Sequence, residues 1–461
     1  MILRRVLIAN RGEIAARIIG TCQWLGIEAI LAASDADLDS LPARLADGVV
    51  RLGPAPAGQS YLDVEAVVAA ARTVGADAIH PGYGFLSENE RLARACDAAG
   101  IVFVGPTAGQ LAAVGDKLTA RRHALEAGLP VVPGGEVDDV ASAESLVDRL
   151  GLPVLVKAVG GGGGRGMQRV TDRSQLRTTL DRSMAEAEAA FGDPRVYLER
   201  FVVSGRHVEV QVLGDGADVV HLGTRDCSVQ RRYQKLIEEA PAPCLDDALR
   251  DRMHDAAVAF ARHLGYRGAG TVEFLVDRER GSFYFLEMNA RLQVEHPVTE
   301  AITGVDLVAE QIAVAEGQPL RLRQSDVTFR GHAFECRINA EDWERDFAPT
   351  PGTVTEAIFP AGPGIRIDTH VQAGAVVPPF YDSLIAKLIV HAGDRPSALE
   401  RLRSALRRCA IDGVSTTVPM HLAVADDPEF ARGGVDTRWF PQFLEHGSPA
   451  PAAAPAGRLG P

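Results

Sequence analysis

Lysine is almost missing from this chain. Of 48 basic residues only four are lysines, Lys117, Lys157, Lys235 and Lys387, and the other 44 are arginine. Against that bias a surviving lysine either marks a position that needs a compact ammonium in place of a planar guanidinium, or survives by chance. Long apolar runs are missing too. None reaches the ~18 residues of a membrane helix, so no membrane partner is expected. Met1-Ile2-Leu3-Arg4-Arg5 leads straight into a strand-like run, so no secretory signal is expected either. The six cysteines are scattered without a C-x-x-C pair, which argues against a zinc site and for reduced thiols in a cytoplasm. There is no surplus of positive charge: the net charge is −13, which argues against nucleic acid as the main partner. No G-x-G-x-x-G follows the first strand-like run, so a dinucleotide reading is weak.

What is present is an ordinary globular balance, 46% hydrophobic and 24% charged, over a length that holds about three domains. The first hundred residues alternate strand and helix. Val6–Ala9, Glu28–Ala32, Ala76–His80 and Ile101–Val104 read as buried strands, and helices are expected from Ile14 and over Val64–Thr73. Such alternation predicts a parallel α/β sheet, whose strand-end loops bind ligands. Two of these loops stand out, Asn10-Arg11-Gly12-Glu13 and the run from His80 to Asn89.

Further on, a strand ends in Lys157 and is followed by five glycines, Gly160 to Gly164. A glycine run lets backbone N–H groups approach phosphate oxygens, and the lysine adds a point charge. It is not a Walker A loop, since the lysine precedes the glycines; a flexible hinge is the other reading. His207–Val212 and Val219–Leu222 form a predicted hairpin around Gly214-Asp215-Gly216. The charged stretch Arg225 to Pro241, which holds Lys235, would be unremarkable as a surface loop. Thr271–Leu275 and Phe283–Glu287 are strands joined by a turn at Asp277 to Gly281, and this hairpin can set Glu273 beside Glu287. Two close buried carboxylates repel unless a cation lies between them, and Mg²⁺ takes oxygen ligands shared with phosphates.

From Glu287 to Glu295 every odd position is polar and every even one apolar. Drawn as one strand, the row aims Glu287, Asn289, Arg291, Gln293 and Glu295 to one side. Such a row is either a solvated strand face or a set of groups for a cation, an anion and a proton. At ~3.3 Å per residue its ends would lie roughly 26 Å apart, so either the chain bends after Asn289 or the ligand is long. Beyond Arg337, the segment 352–391 reads as short antiparallel strands and Pro396–Arg408 as a helix.

Together these residues resemble an ATP-grasp enzyme, and more closely the biotin carboxylase component of biotin-dependent carboxylases such as acetyl-CoA carboxylase. The resemblance runs from about Arg4 to about Glu445 and rests on separated motifs. They include Asn10-Arg11-Gly12-Glu13, His80-Pro81-Gly82-Tyr83-Gly84-Phe85, Arg225-Asp226-Cys227-Ser228, Glu238-Glu239-Ala240-Pro241 and Gly331 to Arg337. It implies an α/β fold with a Rossmann-like N-terminal domain (1–115) and an ATP-grasp region (116–320) with a mobile lid at about 131–203. A C-terminal domain with an antiparallel sheet (321–446) and a disordered tail (447–461) would follow.

The resemblance further implies that Lys117, Lys157, Gly163, Gly164, Glu199, Val202, His207, Gln230, Tyr233, Glu273 and Glu287 bind ATP. Glu273, Glu287 and Asn289 would hold Mg²⁺ or Mn²⁺. Lys235, Arg291, Gln293, Val294 and Glu295 would bind bicarbonate, with Glu295 as base, and Arg337 and Tyr83 would meet biotin. Tyr233 stands where histidine is usual at the ribose, and Val159 where a small residue is usual. None of the four lysines has the flanking methionines of a biotin attachment site. Biotin is therefore expected on a separate carrier protein, with a separate carboxyltransferase and a homodimer of this chain. The fourth lysine, Lys387, is expected to serve packing or a subunit contact. Two alternatives remain on sequence grounds: another ATP-grasp ligase using an amine or ammonia, and a catalytically dead nucleotide-binding subunit.

Overall fold

The computed structural model describes residues 2–159 and 167–446; the glycine run with Gly163 and Gly164, and the tail 447–461, lie outside the described residues. The chain opens with five parallel strands, β1 (Arg5–Ile8), β2 (Glu28–Ser34), β3 (Gly48–Gly53), β4 (Ala78–His80) and β5 (Val102–Phe103), in the order β3-β2-β1-β4-β5. Val6, Leu7 and Ile8 are fully buried, as a parallel strand covered on both faces requires. β3 has no counterpart in the sequence reading. It is a half-exposed edge strand, so its apolar residues carry no clear period. The helix Gly12–Trp24 starts from the loop after β1. Gly12 has φ +67°, a left-handed conformation that favours glycine, while a Cβ there would make only ordinary contact with the His370 ring at 3.5 Å.

A four-stranded sheet follows, β6 (Gly134–Val137), β7 (Val154–Ala158), β8 (Met167–Val170) and β9 (Val196–Arg200), in the order β6-β9-β7-β8. The body of the molecule is an eight-stranded antiparallel sheet. It holds β10 (Gly205–Asp215), β11 (Val219–Arg231), β12 (Gln234–Ala240), β13 (Arg267–Asp277), β14 (Ser282–Asn289) and β15 (His332–Asn339), with the strands Leu384–Ala392 and Ile365–Thr369. The order is β14-β13-β10-β11-β12-β15, then 384–392, then 365–369. The C-terminal strands thus extend the same sheet, and no separate C-terminal sheet of that size forms among the described residues. The charged stretch from Arg225 to Pro241 is no surface loop. It forms β11 and β12 in the middle of this sheet, joined by the turn Arg232-Tyr233, both at positive φ.

The row from Glu287 to Glu295 is not one strand. β14 ends at Asn289, residues 290–295 turn, and a helix runs His296–Thr303. The chain therefore bends where the length of a straight strand would have carried Glu295 away from Glu287.

Two bulges decide which side chains face the site. On β14, Phe285 pairs with Phe274 and Glu287 with Glu273, so Leu286 is the extra residue. On β12, Ile237 pairs with Val229 and Lys235 with Gln230, so Leu236 is extra. One extra residue reverses the alternation of faces. Glu287 is thereby brought to the Glu273 side, and Lys235 to the face that Glu238 also occupies.

Candidate active site

Cross-strand pairing builds a charged stripe over one face of the large sheet. Glu287 pairs with Glu273, Glu273 with Glu209, and Glu209 with Arg225. Farther along, Glu238 pairs with Glu335, and Arg337 with Lys387. Arg225 and Glu209 are fully buried, with Arg225 Nε donating to Glu209 at 2.5 Å. Its other nitrogens donate to Gln211, Thr299 and Thr271 at 2.7–2.9 Å, so each of its three nitrogens is engaged.

Lys235 is the centre of this stripe. Its ammonium donates to Glu209 at 2.6 Å, Glu273 at 2.8 Å and Glu295 at 2.6 Å. Burial works against the charge, but Cys227 and the three carboxylates raise Lys235 well above the usual lysine range. Glu295 also accepts from Arg337 at 2.9 Å. Against the cost of burial, Lys235, Arg337 and Arg225 hold it well below the usual carboxylate range. Arg337 is shared, because its Nε donates to Glu238 at 2.6 Å.

Arg291 stands on the turn after Asn289. It donates to Glu88 at 2.8 Å, Asn289 at 3.1 Å and Gln293 at 3.0 Å. The amide nitrogen of Gln293 is buried without a hydrogen-bond partner. An unused donor beside a guanidinium is the chemistry of a small oxyanion site. Val294 lies on the same turn, and its carbonyl accepts from Lys387 at 3.0 Å. Lys387 is fully buried and also meets Glu13 at 3.1 Å. Of the two roles expected for Lys387, its full burial fits internal packing and not a subunit contact: it pins the turn that carries Arg291 and Glu295. Tyr83 bonds Glu13 and sits with its ring 5.9 Å from the Lys387 ammonium, close to this group.

Glu273 accepts from Asn289 at 2.8 Å as well as from Lys235, and its other oxygen is 2.8 Å from His207. Burial favours the neutral His207, but Glu273 outweighs it and raises the imidazole above its ordinary value. Glu287 is raised by burial and then by Glu273, with Lys117 opposing. A divalent cation between Glu273 and Glu287 would relieve that repulsion, so the pair fits Mg²⁺. Asn289 fits less directly, because its oxygen is engaged by Arg291. His207, Glu209 and Glu273 form another ligand group, whose ligand atoms lie within 4.8 Å of one another.

Lys157 on β7 pairs with Glu199 on β9 in an ion pair. Lys117, the first residue of the helix Lys117–Glu126, is lowered by burial, with Glu287 opposing and Lys157 reinforcing the shift. Lys117 thus lies near both Glu287 and the Lys157–Glu199 pair. Val202 and Gln230 are buried near the strand ends, and Gln230 donates to the Cys227 carbonyl at 3.4 Å. Tyr233 is not gathered in: it is 59% exposed on the β11–β12 turn.

The sequence reading missed Glu88, Glu209, Glu238 and Glu335. Glu209 carried a signal, the alternation of His207, Glu209 and Gln211, which places all three on one face. Glu238 and Glu335 are cross-strand partners, and three of their four oxygens are buried without a hydrogen bond. Burial pushes Glu238 up to about 7, with Arg337 opposing. The folded protein therefore keeps a proton between about 4.5 and about 7 that the unfolded chain has already lost. Stability falls with rising pH in that window and levels off above it. Denaturant titrations across pH should show Glu238→Gln gaining on the parent from about pH 4.5 to about 7. A pH-independent difference would mean that Glu238 is ionised throughout.

Comparison with known proteins adds three family matches: "Biotin carboxylase, N-terminal domain" over residues 2–111, "Carbamoyl-phosphate synthase L chain, ATP binding domain" over 116–323 and "Biotin carboxylase C-terminal domain" over 335–442. The chain is 50% identical over 436 residues to a biotin carboxylase of Nostoc sp., covering 94% of this chain and 97% of that one. A crystal structure of a biotin carboxylase in a β,γ-ATP complex from Campylobacter jejuni superposes with a TM-score of 0.92 at 44% identity, covering 96% of this chain and 99% of that one. The biotin carboxylase domain dimer of Hydrogenobacter thermophilus 2-oxoglutarate carboxylase, solved with MgADP, ADP and bicarbonate, gives 0.91 at 43% identity, covering 96% and 98%.

Proposed function

The chain belongs to the biotin carboxylase family, and from that premise we propose that it uses ATP and bicarbonate to carboxylate biotin carried on a separate protein. The observation that carries this reading is the shared bonding of Lys235, Glu295 and Arg337 beside the unused donor of Gln293. It offers, in one place, an oxyanion cradle, a carboxylate base and a cation that can change partners.

In this reading Arg291, Gln293 and Lys235 hold bicarbonate, and Glu295 takes its proton as the oxygen attacks the γ-phosphorus of ATP. The phosphorus–oxygen bond to ADP breaks and carboxyphosphate is left. Lys117 and Lys157 lie over the phosphates and neutralise charge without bond chemistry of their own. Glu273 and Glu287 would hold Mg²⁺, which would supply further positive charge at the phosphates. Carboxyphosphate breaks down to CO₂ and phosphate next to the ureido ring. The released phosphate takes the ring's N–H proton, Arg337 supplies the fixed cation for the enolate, and the ring nitrogen then attacks CO₂ to form the N–C bond of carboxybiotin. Glu295 as placed is a weak base because two cations bond it. Movement of Arg337 to the ureido oxygen, and of Lys235 to bicarbonate, would restore its proton affinity.

The lid, residues 131–203 in this reading, would close over the nucleotide. The likeness to a dimeric domain supports a homodimer. No helix among the described residues is long and apolar enough to cross a membrane, which is compatible with a cytoplasmic setting. The acceptor of the complete assembly is proposed to be acetyl-CoA, in fatty acid synthesis, on the strength of near full-length likeness to stand-alone biotin carboxylases. The proteins that copurify with this chain test that choice. The reaction itself is tested by ADP release with Mg²⁺, ATP, bicarbonate and free biotin. Release should require both bicarbonate and biotin and ignore ammonia. An ammonia response without biotin would assign the site to an amine-using ligase instead.

A further inference from the structure

Away from the charged stripe, a second group of ligating side chains joins two helices. His123 and Glu126 lie in the last turn of the helix Lys117–Glu126, and His263 is the last residue of the helix Asp247–His263. His123 Nδ1 is 3.2 Å from His263 Nε2 and 3.3 Å from Glu126 Oε2, and His263 Nε2 is 3.4 Å from that same oxygen. The three atoms form a nearly equilateral triangle.

We infer that His123, Glu126 and His263 form a binding site for a divalent transition metal, Zn²⁺ by ligand type, which ties the two helices together. The dimensions favour it over a plain hydrogen-bonded triad. All three contacts are longer than the ~2.9 Å of an ordinary hydrogen bond. They match the ligand–ligand edge of a tetrahedral site, about 3.3 Å when metal–ligand bonds are about 2.0–2.1 Å. Each atom also faces two others, whereas an imidazole nitrogen carries at most one proton and can complete only one contact as a donor. A central cation completes all three at once. A second observation is independent of these distances. Both helices present their C-terminal ends here, where the backbone dipoles favour positive charge. The side chains are 25%, 49% and 32% exposed, so a hydrated ion can enter and keep water in the fourth position.

The site lies at the far end of the helix that begins with Lys117, so an ion would moor that helix to the body of the ATP-grasp region. It stands apart from the acid-rich ligand groups around Glu209 and Glu273.

The test uses untagged full-length protein, stripped with a chelator and titrated calorimetrically with Zn²⁺, and with Co²⁺ for its visible absorption. His123→Gln and His263→Gln keep shape and polarity and leave the charged stripe untouched. The parent should bind an equivalent of Zn²⁺ that each variant has lost or binds at least about tenfold more weakly, with a tetrahedral Co²⁺ spectrum in the parent alone. Thermal unfolding should shift upward with Zn²⁺ in the parent and not in the variants. Equal binding and equal spectra in parent and variants would overturn the proposal and leave a hydrogen-bonded triad.

Discussion

Replacing Glu295 by glutamine is expected to lower bicarbonate-dependent ATP cleavage by about 10²–10⁴-fold, the usual cost of losing a general base. ATP affinity should stay near that of the parent. The structure explains why the fold should survive. Lys235 keeps Glu209 and Glu273 as partners, and Arg337 keeps Glu238, so no buried cation is stranded. Glutamine preserves the shape but cannot take a proton. Glu287→Gln serves as the contrast. It removes half of the Glu273–Glu287 pair, so it should weaken productive Mg–ATP use and raise the metal requirement. Binding and turnover measured on both variants separate base from ligand. A Glu295→Gln enzyme running at the parent rate would remove Glu295 from the chemistry.

Lys235→Arg is expected to abolish turnover although charge is conserved, and Lys235→Met to destabilise the fold by about 3–5 kcal/mol. One ammonium meets three carboxylate oxygens at 2.6, 2.8 and 2.6 Å. A planar guanidinium directs its donors in a fork and cannot point them at three oxygens around a single nitrogen. Methionine leaves Glu209, Glu273 and Glu295 with Arg225, His207 and Arg337 as their ion-pair partners. Urea unfolding should show the loss for Lys235→Met, and the biotin-dependent assay the loss for both. Parent-like turnover in Lys235→Arg would show that charge alone suffices there. The same reasoning explains why lysine persists at this position in a chain that otherwise uses arginine.

Much of this was legible before any coordinates. The strands of the N-terminal sheet are short apolar runs with turn residues at their ends, a signal that needs no partner to be read. That the strands holding Glu273 and Glu287 pair with each other followed from the short turn between them, although the exact match of the two glutamates needed the bulge at Leu286. The motifs themselves carried the family resemblance.

Other features depended on partners distant in sequence. The bulges at Leu286 and Leu236 are invisible to a period of two. Each is defined only by the register of the neighbouring strand, and each reverses which side chains reach the site. The polar row after Asn289 looked continuous because alternation persists through a turn that bonds from distant residues such as Glu88 and Lys387 help to hold in place. Lys387 sits 93 residues beyond the carbonyl it bonds, with no local pattern to announce it. Residue types and local spacing therefore determined which chemistry this chain holds. Long-range register and burial, which act between segments that the sequence keeps apart, decided where each charge stands and which neighbour balances it.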